Sequence, residues 1–378
     1  NIRDNWMIWL GGICIGLSGI FLTRYSIEQG YLGPGARIAA GIILGLALHA
    51  VAEWLRRNRE NHPSFAALAG GGSITLFAAL LAALHLFKML NPTLVFISLA
   101  LVALATMFLA VYHGPVLAVL GILGAYLVPL LVGEGPGGAL TVLAYALIIS
   151  SSALMLLRYV YRDWLWFGVL GGGLGWWLLT ISESEVDGLR GIYLAVFAYL
   201  LIAIPSADWL LQQIRNATAT GFRKYFTAAD RLEKLLPVSL LLVIAAQSLS
   251  IALHGFADSA IFNWSPLAVL LLLAGGKRRY LSMHPWVLLI LTLAGWLLSQ
   301  YDAGRLETLG PALTPGFYWY CGLTVFIYAY LSLVNARRTG DEQLWVSLAV
   351  LAPLLFLALT YVLSENLESS QYWSMIAA

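Results

Sequence analysis

Apolar residues in this chain run in long unbroken blocks, and polar residues gather between them. Leu94–Ala110 (LVFISLALVALATMFLA) carries no charge over a whole helical span. A soluble chain of 378 residues would alternate apolar and polar positions at helical or strand period. Here alternation disappears inside blocks of about 17–22 residues, the length that crosses a bilayer as a helix. In hydrocarbon each backbone amide must be satisfied within the segment, which a helix achieves. The pattern predicts an all-α, polytopic transmembrane bundle of about thirteen helices. They fall near 6–22, 35–55, 64–87, 93–112, 115–132, 138–157, 163–181, 190–206, 235–253, 262–275, 284–300, 316–335 and 343–363. The block at 262–275 is short, so a tilted, re-entrant or bilayer-thinning element is expected there. A transmembrane β-barrel would need strands of about ten residues with strict alternation, and the pattern excludes it.

Charge tests the spans independently. With the N-terminus in the cytoplasm, the inner turns hold Arg3, Arg56, Arg57, Arg59, Arg158, Arg162, Arg215, Arg223, Lys224, Arg231, Lys234, Lys277, Arg278, Arg279, Arg337 and Arg338. Only Arg24, Arg37, Lys88, Arg190 and Arg305 remain outside. The bias alternates turn by turn, as the positive-inside rule requires. One missed span would scramble it downstream. The C-terminus is then periplasmic, and the localisation expected is the bacterial cytoplasmic membrane.

The whole of 1–378 reads as one polytopic domain. The chain starts at Asn1 rather than Met, so more sequence is expected upstream. Weak repetition links Ala69–Phe77 (AGGGSITLF), Leu170–Leu179 (LGGGLGWWLL) and Leu293–Gln300 (LAGWLLSQ), each following a basic turn. A four-helix unit used three times after one leading helix would give thirteen. The largest polar connection, 208–234, is a cytoplasmic basic connector, and Arg223–Phe226 with Arg231 and Leu232 fit an amphipathic helix on the inner leaflet.

Several chemistries are absent from the pattern. No basic soluble face suits nucleic acid. Cys14 and Cys321 lie in apolar blocks and read as buried thiols. His85, His113 and His254 stand near span ends without metal-ligand spacing. Ser150–Ser152 are expected to bond back to helix carbonyls. Neither a GxSxG elbow nor an HExxH pair occurs. No catalytic residue, metal or cofactor is assigned. Trp164, Trp166, Trp286, Trp319 and Trp345 near span ends read as interfacial anchors.

The remaining candidates are polar residues in costly places. His49 and Glu53 lie at i and i+4 on one helix face, and Glu53 is four residues before Arg57. They are candidates for proton coupling, against a structural ion pair. Arg24, Glu28 and Arg37 flank the first outer loop, where cations are disfavoured. An anionic substrate would explain them, and local pairing with outer acids is the competing reading. Trp177 is a candidate groove-lining residue, against core packing.

Three segments resemble a known family: WLGGICIGLSGIFLTRYSIEQGYLGPGAR (Trp9–Arg37), FAALAGGGSITLF (Phe65–Phe77) and LAVLGILGAYLVPLL (Leu117–Leu131). Over about 6–132 the chain is similar to bacterial predicted membrane proteins grouped as domain of unknown function 2339. In the third segment that family more often has Gly-Gly-Phe-Leu-Ala-Pro where this chain has Gly124, Ala125, Tyr126, Leu127, Val128 and Pro129. The resemblance implies a multi-pass protein of the bacterial cytoplasmic membrane, part of a longer chain, and no activity. Arg24, Glu28, Arg37 and Pro129 match its motif positions.

A bundle of this size without large soluble domains suits a transporter or flippase for an amphipathic or lipid-linked anion, with membrane lipids as partners. A scaffold for an envelope or membrane complex, with a protein partner, is the second class. An intramembrane transferase is the third, with Glu53–His49 or Glu183–Asp187 as its acid–base candidates.

Overall fold

The computed structural model describes residues 33–58, 62–133, 138–215, 219–255, 261–301 and 315–364, together with Met7, Leu10, Gly11, Ile13, Cys14, Leu17, Ser18, Phe21 and Tyr25. Those nine are all helical and fall on the first predicted span or just beyond it. The rest of the described chain forms twelve α-helices. In order they are α1 (Pro34–Asn58), α2 (Pro63–Leu81), α3 (Pro92–His113), α4 (Pro115–Val132), α5 (Ala139–Leu157), α6 (Asp163–Leu179), α7 (Arg190–Ser206), α8 (Leu236–His254), α9 (Ser265–Lys277), α10 (His284–Tyr301), α11 (Pro315–Arg338) and α12 (Glu342–Ser364).

Local chemistry sets the boundaries. Proline opens α2, α3 and α4, where its missing N–H costs nothing and its fixed φ suits the first turn. The His62 ring accepts from the Ser64 amide, and the Asn91 side chain from the Thr93 amide. A π-helical turn, Ala82–Leu86, ends the third predicted span.

Among the described residues eight helical segments are long and apolar enough to cross a membrane: Pro34–Asn58, Ser64–Leu86, Pro92–His113, Pro115–Val132, Ala139–Leu157, Arg231–His254, Arg279–Ser299 and Trp319–Arg338. Arg190–Ser206, Ile261–Lys277 and Glu342–Ala358 are shorter apolar helices. Helix α9 is the short tenth block, preceded by a 3-10 turn, Ile261–Trp264. Large apolar side chains such as Ile43, Phe108, Leu130 and Leu357 point outward. Lipid covers such a surface without the penalty water would impose.

Where the sequence predicts one bundle, packing gathers into two compact units, Asn1–Trp176 and Trp177–Ala378. In the first, α1 pairs with α2 and α3 with α4, and α5 lies against α3 and α4. Its core turns on Tyr126. The hydroxyl lies 2.7 Å from Ser150 Oγ and donates to the Val169 carbonyl, and Trp176 donates to the Tyr126 carbonyl. The ring lies against Gly172, where a Cβ would sit 2.3 Å from it. The GGG at 171–173 therefore includes one position of close approach. In the second unit α8 pairs with α10, α11 with α12, and α9 packs against α7 and α11.

Three sequence expectations change. The connector forms two 3-10 turns, Gly221–Tyr225 and Arg231–Glu233, instead of one amphipathic helix, because its polar side chains are drawn into tertiary ion pairs. Trp166 and Trp345 are fully buried in helix packing instead of serving as interfacial anchors, while Trp164 and Trp319 are exposed. Cys14 is exposed; only Cys321 is a buried thiol.

Candidate functional site

The predicted site residues are placed unevenly. Arg24 and Glu28 lie outside the described residues. Arg37 sits half-buried in the first turn of α1. Trp177 is buried and belongs to the second unit. Glu53 accepts from both Arg56 (2.7 and 2.8 Å) and Arg57 (2.7 Å), the local ion pairing weighed in the sequence. Arg56 also lies over the Tyr112 ring at 4.7 Å. His49 turns instead to α2, with Nε2 3.3 Å from Ser73 Oγ, and Ser73 reaches Thr106 of α3 at 2.8 Å. Among the outer cations, Arg190 pairs with Asp187 at 2.6 Å and donates to the Glu183 carbonyl.

The richest polar arrangement is in the second unit, where three predicted inner turns converge. Arg215 donates its amide to the Lys277 carbonyl, and Arg279 donates its own to the Arg215 carbonyl. This bridge draws the connector across the end of α9. Arg278, at 0% exposure, then points inward. Its guanidinium donates to Glu233 (2.9 Å), to Ser206 (2.8 Å) and to the Ile202 carbonyl (3.3 Å), and lies 3.4 Å from Asp208. Tyr280 donates to the other Glu233 oxygen, and Arg215 pairs with both Asp230 and Glu233. Burial pushes the Asp208 carboxyl up. The Gln212 and Gln213 amides and Arg278 outweigh that and leave it below the ordinary carboxylate range.

Beside this network lies a cavity of about 960 Å³. Lys277, Arg279, Arg338 and Asp341 give it charge, and Leu273, Leu331, Val334 and Trp345 give it apolar wall. Gly276 makes room for the wall: a Cβ there would fall 2.1 Å from Asn335 Oδ1, and Asn335 donates to the Leu272 carbonyl at 2.8 Å. Asp341 caps α12 and takes two bonds of 2.6 Å from Arg279 and one of 3.1 Å from Lys224. The Arg279 guanidinium holds the Asp341 carboxyl below its usual range; burial opposes this and Lys224 adds to it.

A group held low in the folded state contributes stability that is complete above its unfolded pKa and is lost as pH falls through the depressed value. Protection of the Gly221–Tyr225 turn should therefore be flat from about pH 5 upward and fail only in stronger acid. Asp341→Asn should expose 219–230 to protease a few-fold faster at neutral pH, on a coupling of about 1 kcal/mol. Unchanged cleavage would refute the tie.

Sequence reasoning missed Asp341, Asn335 and Glu233. Asp341 follows Arg337–Arg338 in a predicted inner turn, which was its one sequence signal. No group of three or more His, Cys, Asp or Glu among the described residues is placed to hold a metal ion.

A family model described as a predicted membrane protein, domain of unknown function 2339, matches residues 3–378. Neither a curated protein nor a solved structure matches the chain.

Proposed function

The chain belongs to that family of predicted membrane proteins, and from this premise we propose that it handles an amphipathic, lipid-linked anion as a transporter or flippase, with the cavity of the second unit as its binding site. The observation that carries the reading is the lining. Cations and apolar side chains share one cavity at the ends of α9 and α11, which suits a ligand with a charged head and a hydrocarbon tail. Its cations come from basic turns, which the positive-inside rule assigns to the cytoplasmic leaflet. The sequence sought the site at Arg24 and Arg37 instead, which that rule assigns to an outer turn.

Contacts between helix ends support thirteen crossings of the bacterial cytoplasmic membrane. Arg56 meets Tyr112, and His85 meets the Leu131 carbonyl at 2.7 Å. Asn263 donates to the Gly188 carbonyl, and Lys224 and Arg279 meet Asp341. Each contact joins two turns that strict alternation assigns to one side. A helix that failed to cross would pair an inner turn with an outer one.

Reconstituted into liposomes containing a head-labelled anionic lipid, the protein should raise the fraction bleached by an external reductant above the roughly half found in protein-free bilayers. Gly276→Leu should suppress this by filling the cavity wall. Bleaching that stays at the protein-free level would remove the transport reading and leave a scaffold.

A further inference from the structure

Resting on that reading of the cavity, we propose that the headgroup it takes is a phosphate monoester carried on a lipid. Three cations and one carboxylate line the cavity. Asp341 is committed to Arg279, and to Lys224 from the connector. Lys277 and Arg338 have no carboxylate within ion-pair distance among the described residues. Two positive charges are thus left facing the space. A phosphate monoester carries about −1.5 to −2 at neutral pH, against −1 for a diester. A dianion matches the half-buried Lys277 and the exposed Arg338 together, and a monoanion leaves one of them uncompensated. Arg338 offers a planar fork to two oxygens, and Lys277 a point charge to a third.

Three neutral side chains of the lining are already engaged, and the Trp345 indole N–H, buried without a partner among the described residues, is left to the ligand. Ser282 donates to the Arg279 carbonyl (2.8 Å), Thr339 to the Asn335 carbonyl (3.0 Å) and Asn335 to the Leu272 carbonyl (2.8 Å). One buried indole donor is little to recognise the several hydroxyls of a sugar or polyol head, so charge dominates the choice of ligand. Leu273 and Tyr330, both exposed, continue the apolar wall outward and give an acyl chain its path to the bilayer.

The test uses the full chain in nanodiscs of zwitterionic phosphatidylcholine. The probes are a diacylglycerol phosphate, phosphatidylglycerol with the same acyl chains, and inorganic phosphate, with retention read by native mass spectrometry. The monoester lipid should bind at least about tenfold tighter than the diester, and tightness should fall as pH drops through the second phosphate ionisation near about 6. Diester binding should stay flat over that range. Lys277→Gln/Arg338→Gln, checked for unchanged thermal unfolding, should bring the monoester down to the level of the diester. Equal binding of the two lipids, both lost in the double variant, would overturn the monoester assignment and leave the amphipathic-anion reading standing. Two lipids unaffected by the double variant would overturn that reading as well. Free phosphate binding as tightly as the lipid would overturn the lipid-borne source.

Discussion

Replacing Arg278 by methionine is expected to cost about 3–5 kcal/mol and to unfold the second unit well below the temperature at which the unchanged protein melts. The substitution removes the partner of two buried carboxylates at once. Glu233 is 1% exposed and Asp208 5%, so neither can turn to water. Asp208 keeps the Gln212 and Gln213 amides, and Glu233 keeps Tyr280 and Arg215, but the central charge is gone. The loss should come from leaving acids unpaired more than from losing attraction. Arg278→Met combined with Glu233→Gln and Asp208→Asn should therefore recover much of the damage. Tryptophan-fluorescence melting in detergent reads both variants. A triple variant no more stable than the single would show that arginine packing, not charge balance, holds the unit together.

Gly172→Ala should be the most damaging change in the first unit for its size. The new Cβ would fall 2.3 Å from the Tyr126 ring, which is held by Ser150 and the Val169 carbonyl and has nowhere to go. Overpacking of this kind costs about 1–3 kcal/mol. Its neighbour is the control, because a Cβ at Gly171 meets nothing within 4 Å. Gly171→Ala should melt like the unchanged protein. Adding Tyr126→Ala to Gly172→Ala should remove the clash, so the two losses should not add. Equal melting of the two glycine variants would place the Tyr126 ring elsewhere.

Helices long and apolar enough to cross a membrane were legible because such a helix announces itself locally. Length, apolarity and an opening proline fix α3 and α4 without knowledge of any neighbour. Partnerships were not legible. Nothing near Tyr126 in sequence indicates Ser150, 24 residues on, and Arg278 meets Glu233 and Asp208 across 45 and 70 residues. Trp166 and Trp345 occupy the positions of anchors, and only tertiary packing distinguishes them from Trp319. Lys277 and Arg338 were visible as orientation markers, which gave no sign of the cavity they line. Basic turns are expected at inner helix ends whatever else they do. Arg24 drew attention by breaking that rule, with Glu28 a turn away in sequence, and both lie outside the described residues.

The convergence of three basic turns has a consequence for the lipid around the protein. Glu233 and Asp208 are buried against Arg278 and Asp341 is paired with Arg279, while Asp230 is exposed and paired with Arg215. Lys277 and Arg338 line one cavity, and cations that shared a leaflet surface there would act on it as one patch, screened beyond about 8 Å at physiological salt. Attraction of anionic lipid is worth about 1 kcal/mol per basic residue near the surface, so enrichment multiplies with each. The acidic-lipid content of the bilayer and its ionic strength then govern which molecules crowd that rim.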